Sequence, residues 1–308
     1  MLFPISGTHL SLIFLVGIGF VIGLLGGFFG VGGSFLAGPA LFAAGVPMNF
    51  VVGTDLAHIV GKSIVAAKSH HTLGHVDLKL GGIMTAGTLA GVEVGAQAVE
   101  YLKRRAHVDL GVALGFIVIL VGISGFVGWE SWQTLKWRRH RAGSGKSARE
   151  LKRDETILDY VHKRVRRFHL PPTIRLPVSG IDHISLWTIL AVGFVGGVFS
   201  GFLGGGAGYL RMPALIYLLG VPTHVAVGTD LFEVVISAGY GTFTHAVKGN
   251  VDILIALVMH TGAALGARIG AMLTDHVHGV RIRLAFVPLP LVGAGLVVYG
   301  LLTGNRLK

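Results

Sequence analysis

No aspartate, glutamate, lysine or arginine occurs before Asp55. Charge-free runs return over Leu110–Trp129, Ile184–Leu210, Val234–Val247, Ile253–Ala267 and Leu284–Asn305. Several of them reach the ~20 apolar residues that a helix needs to cross hydrocarbon. Charged residues make up 13% of the chain, about half the share with which a soluble domain covers its surface. Mean hydropathy is +0.71. The fold class these runs allow is an all-α, multi-pass integral membrane protein, placed in the cytoplasmic membrane. The first run has no cationic stretch before it and no small-residue cleavage site leading into a polar domain, so it reads as a span and not as a secretory signal. With no cysteine in the sequence, thiol catalysis is excluded.

The net charge of +11 is concentrated in one place. Residues 130–182 hold thirteen of the 26 Lys and Arg against six of the 15 Asp and Glu. Between spans such a segment stays on the cytoplasmic side. There it faces anionic lipid and has no need of nucleic acid as a partner. Within it Leu151, Leu158, Val161, Val165 and Phe168 recur at helical spacing, which predicts an amphipathic surface helix ended by Pro171 and Pro172.

The chain also repeats itself. Gly45–Leu56 reads GVPMNFVVGTDL, and Gly220–Leu231 reads GVPTHVAVGTDL, 175 positions later. The same offset relates Gly74–Asp77 to Gly249–Asp252, and Gly87, Gly91 and Gly95 to Gly262, Gly266 and Gly270. One residue earlier in register, Gly30–Gly32 matches Gly204–Gly206. Three parts follow: a first transmembrane repeat (1–129), a basic linker (130–183) and a second repeat (184–308). Each repeat holds about four spans plus a short Gly- and Pro-bounded piece of roughly a dozen residues, Gly33–Ala44 or Ala207–Leu219, which is too short for a straight span and suits a re-entrant or broken helix. If the short pieces cross, each repeat has five segments and the repeats are inverted.

The Gly-rich first span, the Pro-bounded short piece, V-G-T-D-L and G-x-V-D, in this order and twice, resemble the TauE/SafE (sulfite exporter) family of membrane transporters. The resemblance covers both repeats and leaves out only the linker. It implies secondary transport of a small sulfur-containing anion, sulfite or an organosulfonate such as sulfoacetate, or in some members another small organic anion, without a cofactor. Arg211 stands where the first copy has Ala37.

Several residues are candidates for chemistry. Gly30, Gly32 and Gly33, with Gly204, Gly205, Gly206 and Gly208, either let helices pack closely or present backbone amides and helix ends to an anion. Thr54, Asp55, Thr229 and Asp230 either cap helices or bind a coupling proton or sodium ion, since acids inside spans are costly and usually functional. His58 and Lys62 share a helix face with Asp55; Glu233 is the counterpart of His58. Lys62 and Arg211 are candidate anchors for the anion; for Lys62 the alternative is an internal ion pair with Asp55 or Glu233. Glu93 and Arg268, 175 apart, are expected to pair. His58 and His260 could relay protons. The other histidines, without cysteine or an H-E-x-x-H pattern, read as interface residues and not as a metal site. No clustered nucleophile and base is present, so a transporter or a channel is expected in preference to an enzyme. A cysteine introduced at position 145 should stay protected from an impermeant thiol reagent added outside intact cells; labelling there would overturn the orientation.

Overall fold

The computed structural model describes residues 1–29, 34–142, 170–274, 276, 277 and 279–303. Most of this is helix, because in hydrocarbon a backbone must bond to itself. The first half contains α1 (Leu12–Phe29), α2 (Ser34–Ala43), α3 (Met48–Thr72), α4 (Leu78–Arg104) and α5 (Val108–Ala142). The second contains α6 (Leu186–Leu203), a 3-10 turn (Gly205–Ala207), α7 (Gly208–Pro213), which runs on as a π-helix (Ala214–Leu219), then α8 (Thr223–Val247), α9 (Ile253–Thr274), α10 (Gly279–Phe286) and α11 (Pro288–Thr303). Two small antiparallel hairpins, β1 (Leu2–Phe3) with β2 (Thr8–His9) and β3 (Thr173–Leu176) with β4 (Ile181–Ser185), precede α1 and α6. Six segments among the described residues are long and apolar enough to cross a membrane. α4 and α8 match them in length, with 27 and 25 residues, and are more polar. The all-α membrane expectation holds. The expected amphipathic linker helix and Gly30, Gly32 and Gly33 lie outside the described residues.

The closest packing joins the halves to each other. α1 runs beside α9 and in the same direction. A Cβ on Gly19, Gly23 or Gly27 would overlap the carbonyl oxygen of Met259, Ala263 or Ala267. From the other side, a Cβ on Gly262, Gly266 or Gly270 would overlap the carbonyl of Val16, Phe20 or Leu24. The same pattern recurs between α4 and α6: Gly193, Gly197 and Gly201 meet the carbonyls of Met84, Thr88 and Val92, while Gly87, Gly91 and Gly95 meet those of Leu190, Phe194 and Val198. Glycine at every fourth position thus brings two backbones into contact, the arrangement by which small residues drive association where lipid supplies no hydrophobic force between helices.

α3 and α8 cross at the centre in opposite senses. Gly53, near the start of α3, abuts Asn250 just past the end of α8; Gly228, near the start of α8, abuts His75 just past the end of α3. Helices related by the 175-residue offset therefore point in opposite directions. Of the two span counts the sequence leaves open, these directions match five segments per half in inverted orientation, with the short helices leading back from the ends of α1 and α6 toward the starts of α3 and α8.

A valine at Gly91 or Gly266 has nowhere to go without separating two backbones. Overpacking of this kind costs about 1–3 kcal/mol. Gly91→Val and Gly266→Val should lower the thermal midpoint and folded yield of the detergent-purified protein, whereas Gly239→Ala, which meets open space, should leave both unchanged.

Candidate functional site

The polar groups of the interior gather where α3 and α8 cross. On α3, Asp55, His58 and Lys62 follow one another at helical spacing and are all buried, the last at 2% exposure. On α8, Asp230, Glu233 and Ser237 do the same. α7 inserts Tyr209 and Arg211 against them, both also buried. The turn that brings α7 there is left-handed over four residues: Gly204, Gly205 and Gly206 have φ of 77°, 78° and 70°, and Ala207 has φ of 50°. Only glycine adopts this region freely. A Cβ on Gly206 would also stand 2.9 Å from Val234 of α8, and one on Gly204 2.8 Å from the Val52 carbonyl of α3. The second glycine cluster is therefore wedged between the two crossing helices, as the close-packing reading expects.

The two cations have different surroundings. Arg211 Nε donates to Asp230 Oδ1 at 2.8 Å, and Arg211 Nη1 pairs with Glu233 Oε2. Ser237 Oγ donates to the same Glu233 oxygen at 3.2 Å. The stem of Arg211 fits because residue 196 is glycine: a Cβ there would overlap its Cγ. Lys62 belongs to no such arrangement. Its ammonium has no hydrogen-bond partner among the described residues. Nor do both oxygens of Asp55, whose contact with His58 Nδ1 at 3.5 Å is an ion-pair distance without hydrogen-bond geometry. Tyr209 Oη is unpartnered as well. His260 of α9 rests on Gly61, one residue before Lys62, and is half-buried. Buried polar groups are normally hydrogen-bonded, since each unmade bond costs about 1–3 kcal/mol. A cluster of unmet donors and acceptors at the centre of a membrane protein is what a polar ligand would complete.

Three sequence expectations change. Asp55 and Asp230 do not cap helices: α3 and α8 start at Met48 and Thr223, capped at Pro47 and Pro222, so both acids sit about two turns inside. The caps are instead the acids of G-x-V-D. Asp77 Oδ1 accepts from Leu80 N at the start of α4, and Asp252 precedes α9 and accepts from Ile255 N. Thr54 and Thr229 serve those same ends across the halves. Thr54 Oγ1 accepts from Asp252 N, and Thr229 Oγ1 accepts from Asp77 N, each at 2.9 Å. Glu93 does not pair with Arg268. It lies 3.5 Å from Lys248 and bonds Gln97, while Arg268 is exposed. Lys62 forms neither of its expected ion pairs: Arg211 holds Glu233, and Asp55 attracts Lys62 without a hydrogen bond between them. Tyr209 escaped the sequence reading, its one signal being its place two residues before Arg211. The interface role of the histidines is seen in His70 and His245, whose Nε2 atoms meet the carbonyls of Gly27 and Gly201.

The sulfite exporter TauE/SafE family model matches residues 15–297, nearly the whole chain. The chain belongs to the TauE/SafE family. It is 26% identical over 302 residues to the probable membrane transporter protein YunE of Bacillus subtilis, covering 95% of this chain and 99% of that one. A second B. subtilis protein, the probable membrane transporter YjnA, is 26% identical over 260 residues, 83% and 87% of the two chains. A probable membrane transporter protein of Xylella fastidiosa is 37% identical over 127 residues, 40% of this chain and 47% of its own. No solved structure matches. This TauE/SafE protein is thus a multi-pass membrane transporter.

Removing one partner of a buried ion pair leaves an uncompensated charge, at a cost of about 3–5 kcal/mol. Arg211→Gln should therefore sharply reduce folded yield. Adding Asp230→Asn and Glu233→Gln should restore most of it by neutralising the stranded acids, as judged by monodisperse elution and thermal midpoint.

Proposed function

We propose that this transporter carries a small sulfur oxyanion or organosulfonate across the cytoplasmic membrane, with the ammonium of Lys62 as the anchor for the anion. The observation that carries the proposal is a buried, unpartnered cation at the crossing of the two central helices. A charge in a span is costly and faces a pathway or a partner. Arg211 is paired with two carboxylates and keeps only part of its guanidinium unbonded, whereas the whole ammonium of Lys62 is without a hydrogen-bond partner among the described residues, which makes Lys62 the stronger anchor. Tyr209 adds a hydroxyl donor, and the turn at Gly204–Gly208 lies on the same two helices. A compact oxyanion needs several donors to replace its hydration, and this cluster holds them.

Charge balance supports coupling to a cation. The cluster has three carboxylates (Asp55, Asp230 and Glu233) against Lys62 and Arg211. Before substrate enters, it already lacks one positive charge, and an arriving anion deepens the deficit in a medium that screens poorly. A co-transported proton or sodium ion offsets that deficit. Asp55, with both oxygens unmet, is the group we assign to receive it, and His58 and His260 lie alongside. The two halves act as inverted copies that rock about this centre, the usual basis of alternating access in secondary transporters.

Proteoliposomes containing the purified protein should show saturable flux of sulfite or sulfoacetate, larger than that of sulfate or taurine and driven by an imposed proton or sodium gradient. Lys62→Gln should raise the half-saturating concentration at least tenfold, the ~1.5–3 kcal/mol typical of a hydrogen bond to a charged group, with little change in expression. Asp55→Asn should uncouple flux from the gradient. Flux that never saturates and ignores both gradients would show a passive pore instead, and an unchanged Lys62→Gln would move the anchor elsewhere.

A further inference from the structure

The two halves differ at one interface. α11 lies tight against α2: a Cβ on Gly293 would overlap the Phe35 carbonyl oxygen, and one on Gly300 would stand 2.6 Å from the Phe42 ring. The corresponding place in the other half, between α5 and α7, is open. There a cavity of about 560 Å³ lies beside the contact in which Tyr217 donates to Glu130 of α5 and meets the Phe126 ring, and it is walled by Phe126 of α5, Ala191 and Val195 of α6, and Arg211, Ala214 and Leu218 of the α7 segment. The walls are almost wholly apolar. Arg211 contributes its methylene stem, because its charged end is turned to Asp230 and Glu233. Phe126 is 47% exposed and Val195 is 48% exposed, so the mouth of the cavity opens sideways onto the lipid-facing surface.

A basic step stands beyond the mouth. α5 continues without a break to Ala142. Lys136, exposed and set over the Trp132 ring at 5.2 Å, comes two heptads after Gly122 of the cavity wall, and so returns to nearly the same stripe of the helix. From Phe126 to Lys136 is ten residues, about 15 Å at 1.5 Å per residue. That is half of a hydrocarbon core of ~30 Å, the depth to which one acyl chain reaches below its headgroup. Lys136 also begins the basic stretch of the linker, and such clusters attract anionic headgroups.

We infer that this cavity is a binding site for one anionic phospholipid, with an acyl chain lying along the Arg211 stem and the phosphate resting at Lys136. The opening is specific to one half, where glycine closes its counterpart, so it is a built feature and not a by-product of the fold. The bound chain supports the stem of the residue that holds Asp230 and Glu233, which links lipid occupancy to the central cluster. The inference requires only that the chain sit in a membrane and does not depend on which anion is carried.

Native mass spectrometry of the detergent-purified full chain, titrated with phosphatidylglycerol or phosphatidylcholine of identical acyl chains, tests it. One phosphatidylglycerol should be retained about fivefold more tightly than phosphatidylcholine, the ~1 kcal/mol that one basic residue contributes near an anionic surface. Lys136→Gln should reduce phosphatidylglycerol to the phosphatidylcholine level. Ala214→Trp and, independently, Ala191→Phe should fill the cavity and remove the retained lipid, in preparations whose elution and thermal midpoint match the unaltered protein. Equal retention of the two lipids, or lipid retained in both filled variants, would overturn the assignment. So would a dimer that the filling changes dissociate while lipid counts stay constant, because the cavity would then be a contact between copies.

Discussion

Backbone-to-backbone contact through glycine is the constraint on which this molecule rests. α1 against α9 and α4 against α6 are held so closely that a single methyl group on either side would strike a carbonyl oxygen. In lipid, where apolar side chains gain nothing by leaving one another's company for the bilayer or the reverse, such proximity supplies the dispersion contacts that hold helices together. It also fixes where everything else falls. With these two pairs drawn in, α3 and α8 are close enough for Gly53 and Gly228 to seat the opposing loops. Thr54 and Thr229 can then reach across to Asp252 and Asp77.

Much of this was legible in the residues. Long charge-free runs dictate helices, and proline at positions 47 and 222 marks where α3 and α8 begin. The glycine triplets at 87–95 and 262–270 are visible as a period of four. Their partner triplets at 19–27 and 193–201 carry the same period, but which triplet faces which is not legible, because a contact of glycine with a carbonyl oxygen carries no side-chain complementarity. Helix direction was ambiguous for the same reason that the short pieces were: a dozen residues neither require nor forbid a crossing. The acids of V-G-T-D-L resemble caps locally, and only the true helix starts reveal that they lie two turns inside. G-x-V-D carried the real caps, recognisable in hindsight from Asp just ahead of an apolar helical run.

The central cluster shows how two similar halves acquire different roles. In the second, Arg211 pairs with both Asp230 and Glu233 and offsets one of their two charges. In the first, the position of Arg211 belongs to alanine, and the cation arrives on α3 as Lys62, leaving Asp55, His58 and Lys62 with bonds to make. One half thus pairs its cation with two acids, and the other leaves its cation without a hydrogen-bond partner among the described residues.

The exchanged threonine bonds have a consequence for how the chain is made. Asp77, at the head of α4, is served by Thr229, 152 residues downstream. When the ribosome has delivered the first half, that partner does not yet exist, and neither does α6, whose glycines receive the carbonyls of α4. The first half must therefore wait in the bilayer with the glycine stripe of α4 uncovered until α6 is threaded in, and with one end of α4 unserved until α8 follows. Biogenesis of such a protein is governed by the last helices to arrive, and an early half released alone would present quality-control proteases with an unfinished surface.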